Sequence, residues 1–188
     1  LGNEGDNGIE VNFARTFDVG GVKWKVNYMP AKWGSGDIST EQAFVEMSGF
    51  SFAPEAKFWA GQRRLRIQDV HIVDNFLMNY GDNQGAGVTD IPIGGMKLGV
   101  GVFTGDKFDS NQPANVKARR INADLSEINT NPGGKLRVLL TAVSGSGQVN
   151  GGSGSGISVS HNQKDFLIPG LSNALFVQTS SGHARIDG

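Results

Sequence analysis

The chain has 188 residues and a formal net charge of −1, enough for one sizeable domain and without bulk attraction for nucleic acid or anionic surfaces. It has no cysteine, which excludes disulfide scaffolds, thiol catalysis and cysteine-ligated zinc. Glycine accounts for 28 residues against 6 prolines and 9% aromatics, a composition of many turns and strands rather than of collagen or a disordered chain.

The dominant period along the chain is two. In "GIEVNFARTF" the apolar Ile9, Val11, Phe13 and Phe17 share one face and Glu10, Asn12 and Thr16 the other. "VKWKVNYM" sets Val22, Trp24, Val26 and Tyr28 against Lys23, Lys25 and Asn27, and the intervening "DVGG" is a hairpin turn. Further on, Met96, Leu98, Val100 and Val102 oppose Lys97, Gly99 and Gly101. Ile121, Ala123 and Leu125 oppose Arg120, Asn122, Asp124 and Ser126, and Leu136, Val138, Leu140 and Ala142 follow the "NPGG" turn on one face.

About ten strands are predicted, near 8–17, 22–30, 41–50, 55–66, 87–93, 96–104, 117–129, 135–144, 156–164 and 173–181. Their connections alternate in length. Those at 18–21, 51–54, 94–95, 130–134 and 165–172 are short, and those at 31–40, 67–86, 105–116 and 145–155 are longer. Tight turns at one end and long loops at the other describe an antiparallel up-and-down transmembrane β-barrel. No run approaches the ~18 apolar residues of a membrane helix, which leaves a barrel open because its strands alternate. A soluble sandwich alternates as well, so the period alone gives both readings equal weight. "SGSGQVNGGSGSG", residues 144–156, reads as a flexible loop.

Motifs for chemistry are weak. The glycine run ending at Gly156 is followed by a strand pattern rather than a helix, so it is no phosphate cradle. His71, His161 and His183 have no metal-ligand spacing, and nothing calls for a cofactor or metal. Asp69 and Asp74 beside His71 form an acid pair without a nucleophile; carboxylates of a polar lining are the better reading than a glycosidase pair. Arg63, Arg64 and Arg66 read as a solvated or lumen-facing charge row rather than a nucleic-acid patch.

"LGNEGD" at Leu1, "FWAGQR" at Phe58, "DVHIVD" at Asp69, "GAG" at Gly85 and "EINTNPGGKL" at Glu127 resemble, in that order and at similar intervals, the maltoporin family of outer-membrane carbohydrate porins. The resemblance implies a non-enzymatic channel in the outer membrane of a Gram-negative bacterium, among lipid and lipopolysaccharide. It would be a homotrimer of barrels of about eighteen strands passing maltodextrins or other oligosaccharides, with roughly ten strands present in residues 1–188. It implies that this chain is partial, running from the family's second strand to near its eleventh, and that residues of about 67–86 form an inward-folded constriction loop. Alternatives are a general small-solute porin of the same fold, or a secreted carbohydrate-binding sandwich.

In that family sugars slide along aromatic rings flanked by charged residues. A pyranose has an apolar C–H face for the rings and a hydroxyl rim for exchangeable hydrogen bonds. Glu10, Asp69 and Asp74 match acids of this polar track, and Phe76 stands where the family has a constriction tyrosine. Gly8 takes the place of a slide aromatic, Ile67 and Val45 those of track arginines, and near a later slide phenylalanine only Leu171 or Ser172 is offered. Trp33 lies in the second loop, which in the family reaches a neighbour's channel; an interfacial girdle aromatic is the equal alternative. Arg15 interrupts an apolar row beside a short turn, at headgroup level or in a subunit contact.

Overall fold

The computed structural model describes residues 8–70, 75–104, 117–146, 153–182 and 184, and of these only the backbone at 66, 68–70, 75–83, 117–118 and 145–146. They form one sheet of eleven strands: β1 (Gly8–Glu10), β2 (Phe13–Val19), β3 (Val22–Trp33), β4 (Ile38–Phe50), β5 (Ala53–Val70), β6 (Asn75–Ile93), β7 (Met96–Thr104), β8 (Lys117–Asn129), β9 (Gly134–Ser146), β10 (Ser153–Gln163) and β11 (Asn173–Gly182). From β3 to β11 each strand pairs antiparallel with its sequence neighbour, an up-and-down meander. β1 and β2 both pair with β3, so the first expected strand is one edge ribbon broken at Val11 and Asn12.

The turn chemistry holds. Gly20 and Gly21, with φ of 61° and 84°, link β2 to β3, and Gly94 and Gly95, at 53° and 83°, link β6 to β7. Positive φ at both central positions matches hairpin turns whose twist suits the strands. Asp18 Oδ1 accepts from the Gly21 N–H at 2.9 Å and closes the first turn.

At two expected loops the described strands reach further than the sequence pattern predicts. Over 67–86 the ladder continues: β5 and β6, the longest strands at 18 and 19 residues, pair out to Val70 with Asn75. Its described part is a two-stranded ribbon, and its mixed charges hide it because a ribbon with no solvated apolar face shows no alternation. Over 144–156, Ser144 already pairs with Ser153 and Val143 with Gly154, so both flanks belong to β9 and β10. Glycine and serine carry no face pattern, yet their backbone groups pair like any others.

The faces are inverted relative to a water-soluble protein. Asn122, Asp124, Arg120 and Thr141 are all 5% exposed or less, while their strand neighbours Ile121 and Leu140 are 54% and 50% exposed. Cross-strand register joins the apolar residues into outward rows: Leu98, Leu125, Val138, Val159 and Val177 in one, Val100, Ala123, Leu140 and Ile157 in the next. Between them run inward rows such as Gly99, Asp124, Leu139, Ser158 and Gln178. A single sheet with polar groups enclosed and apolar rows exposed has its apolar solvent outside, as in a membrane barrel wall. Strands of 9–13 residues, as in β3, β4 and β7 to β11, match the length a tilted strand needs to cross a bilayer.

Candidate functional site

The inner face is shaped by the point where β5 leaves its neighbour. The β4–β5 ladder ends at Ala43 with Gln62, whereas β5 continues alone with β6. Gly61 sits at this departure with φ of 127°, and a side chain there would run into the Ala43 carbonyl and the Phe44 backbone. Glycine is required both for the angle and for the close approach.

Beyond the kink, Leu65 and Ile67 pack against Trp59, Phe103 and Leu139, which are 2%, 0% and 0% exposed. Leu139 belongs to β9, four strands from β5 in the sheet. The contact therefore lays the hairpin across the inner wall instead of letting it stand off the rim. Trp59 is the hub: its ring lies 5.2 Å from that of Phe103, and a Cβ at Gly85 or Gly87 would meet its indole. The "GAG" glycines serve as its cradle.

Around this apolar anchor are ion pairs. Arg64 donates to Glu10 Oε1 at 2.6 Å and to Glu41 Oε2, joining β5 to β1 and β4. Glu41 also accepts from Ser39 Oγ at 2.8 Å and from the Trp33 indole N–H at 3.3 Å. Glu41 is the extra residue of a bulge, since Met29 pairs with Gln42 but Pro30 with Thr40. Pro30 has no N–H for the ladder, and the bulge re-aims Glu41 toward Arg64. Arg63 pairs with Glu46 at 2.9 Å and lies over the rings of Phe44 and Trp59 at 4.7 and 5.5 Å. Arg137 holds Asp124 through two bonds of 2.7 and 2.6 Å, and Arg120 donates to Thr141 Oγ1 at 3.3 Å. Such a wall offers donors and acceptors that a passing polar solute can share without any covalent step.

The model of one family, described as LamB porin, matches residues 1–188. The chain belongs to the LamB porin family. Over 119 residues, 58% of this chain, it is 35% identical to the maltoporin of Vibrio cholerae serotype O1 strain ATCC 39315 / El Tor Inaba N16961, of which the match covers 29%. The maltoporin of strain ATCC 39541 / Classical Ogawa 395 / O395 is equally similar, with 28% covered. The chain thus spans under a third of the length of these relatives.

Within this LamB porin chain the expected site residues fare differently. Glu10 stands in the Arg64 cluster. Asp69 and Phe76 are cross-strand partners in the hairpin, but their side chains, and Asp74, His71 and His183 altogether, lie outside the described residues. Trp33 ends β3 instead of lying in a loop, and its ring rests on Gly8 of the same chain. Val45, at the place of a track arginine, lies on the outward row between Val26 and Ala60; the inward places are those of Phe44 and Glu46. Ile67 is part of the apolar anchor. His161 meets Thr130 Oγ1 at 2.9 Å, remote from these clusters.

Sequence reasoning missed Glu41, Trp59, Glu46, Leu139 and the Asp124–Arg137 pair as site residues. Glu41 escapes period two because a bulge shifts its register. Leu139 escapes because "VLLTAV" puts leucine on both faces. Asp124 and Arg137 were each assignable to the inward face, and only the β8–β9 register brings them together.

Proposed function

We infer that the complete protein is a trimeric outer-membrane channel of a Gram-negative bacterium through which sugars diffuse passively, with no bond made or broken. The observation that carries this reading is the combination of outward apolar rows, an inner wall of ion pairs and a hairpin laid across that wall. Family membership adds the precedent of the Vibrio maltoporins by name. Maltodextrins are the proposed solutes, with lipid and lipopolysaccharide around the barrel. The hairpin of about 67–86 is the proposed constriction, lined by Asp69, Asp74 and Phe76, with Glu10 on the approach. A channel of the same fold without sugar preference is the second reading. It is favoured by Ile67, an apolar anchor at a place where a charge would grip hydroxyls, and by Gly8, which offers no ring.

The full-length protein in a planar bilayer separates the two. Single-channel current is expected to fall in saturable fashion as maltohexaose is added, and replacing both Asp69 and Asp74 by Asn should lower the preference for cations. Current unaffected by saturating sugar leaves the general channel. Unchanged ion selectivity in the double variant removes the two acids from the constriction.

A further inference from the structure

We propose that the β5–β6 ribbon does not seal against the inner wall, and that the seam behind it is a side passage for water and single small ions. The proposal rests on the reading of this face as a wet channel, to which it adds a second path separate from the one a sugar takes.

Leu65 and Ile67, which make the dry contact with Leu139, also line a cavity of about 120 Å³ between the ribbon and the wall. Its wall side is polar, formed by Asp90 of β6, Asp124 and Ser126 of β8 and Arg137 of β9. At ~30 Å³ of liquid volume per water there is room for about four waters, and too little for a hexopyranose.

Bulges on both sides of β7 shape this space. The register slips between Val88 and Ile91 in β6 and between Leu125 and Ile128 in β8. Within these slips Asp90 and Glu127, with φ of 60° and 61°, hold left-handed backbone. A bulge re-aims its side chain, and the Asp90 carboxylate turns to Lys57 at 2.8 Å and Lys97 at 3.4 Å. Asp124 is held by the two bonds from Arg137. Ion pairs thus fix the lining charges to the wall, and a lining of paired charges suits water and a lone ion.

Buried polar atoms continue the seam beyond the cavity. Among the described residues, Asn122 Nδ2, Ser158 Oγ and Ser160 Oγ have no hydrogen-bond partner, although these residues are 0%, 0% and 1% exposed. Ser160 is the cross-strand partner of Arg137, and Ser158 that of Leu139, which itself pairs with Asp124. A buried polar atom without a protein partner is satisfied by ordered water. Water therefore runs from the cavity along the inner wall to β10, past the apolar contact at Leu139.

The test uses the full-length protein in lipid bilayers without sugar, so its outcome is independent of the maltodextrin reading. The lack of native cysteine allows single thiols to be placed, Ser158→Cys in the seam and Lys25→Cys on the inward face of β3 as a control. The probes are silver ion, close to potassium in size, and the bulkier trimethylammonioethyl methanethiosulfonate; maleimide in denaturant then counts the thiol left. Silver is expected to consume both thiols, that of Ser158→Cys within about tenfold of the control rate, and the bulkier reagent only that of Lys25→Cys. If silver consumes only the control thiol, the seam is dry and the proposal is overturned while the channel stands; if it consumes neither, both fall. Reaction of Ser158→Cys with the bulkier reagent would also overturn the proposal, since the seam would then be no narrow passage. Filling the cavity with Ser126→Leu should slow silver at Ser158→Cys about tenfold or more and leave Lys25→Cys unchanged. An unslowed reaction in that double variant would put the cavity off the path and overturn the proposal as well.

Discussion

Leu140→Arg is expected to cost roughly 2–4 kcal/mol of folding free energy in a bilayer, because it puts a guanidinium near the middle of β9 on the lipid side. Leu140 is 50% exposed and is flanked in register by Ala123 and Ile157, so no inward polar group is within its row. The same exposure in a water-soluble protein gives the opposite expectation, a change within about 0.5 kcal/mol, since surface substitutions away from special features are near neutral. Denaturant titration of the full-length protein refolded into lipid vesicles reads the difference. A near-neutral result would mean that the outward rows do not face lipid.

The second large effect is expected at Trp59. Truncation to alanine removes the hub ring from a cluster whose members are at most 2% exposed, and such large-to-small changes cost about 3–5 kcal/mol. Gly85 and Gly87 cannot fill the vacated space, and Arg63 loses one of the two rings beneath its guanidinium. The hairpin is also released, because Leu65 and Ile67 lose the surface that holds them to the wall. Open-channel conductance should therefore rise along with the loss of stability. Reduced stability with unchanged conductance would show that the hairpin is fixed across the channel by other contacts.

Most of the fold was legible because one physical rule, alternation across a two-sided sheet, governs nearly every strand. The apolar rows of β3, β7, β8 and β9 fall on the face that the sequence pattern assigns them. Composition could not say which side was wet; the burial of Asn122 and Asp124 beneath exposed Ile121 and Leu140 decides it. The rule fails where it has nothing to act on. The hairpin of β5 and β6 carries charges and glycines on a ribbon inside the wall, and the flanks of 144–156 are glycine and serine, so neither shows a face.

The site was less legible because it depends on cross-strand meetings far apart in sequence. Arg64 meets Glu10 across 54 positions, and Leu139 meets the hairpin through side chains on non-adjacent strands. Single residues give the chemistry in part: the arginine row reads as solvated or lumen-facing, and Arg63 and Arg64 meet Glu46 and Glu10. What no residue type announces is a role taken up by a neighbour, as where Glu46 and Phe44 hold the inward places beside Val45.

As a membrane wall, this sheet has lipid against its apolar face and a wet channel on the other. Spin labels placed singly at 23, 25, 26 and 28 of β3 in the full-length protein in liposomes test it directly, aided by the lack of native cysteine. Val26 and Tyr28 lie outward, and Lys23 and Lys25 inward. Labels at 26 and 28 should collide with dissolved oxygen and be shielded from a water-soluble nickel chelate, with the reverse at 23 and 25. Equal access of the chelate to all four positions would mean that the sheet does not divide lipid from water.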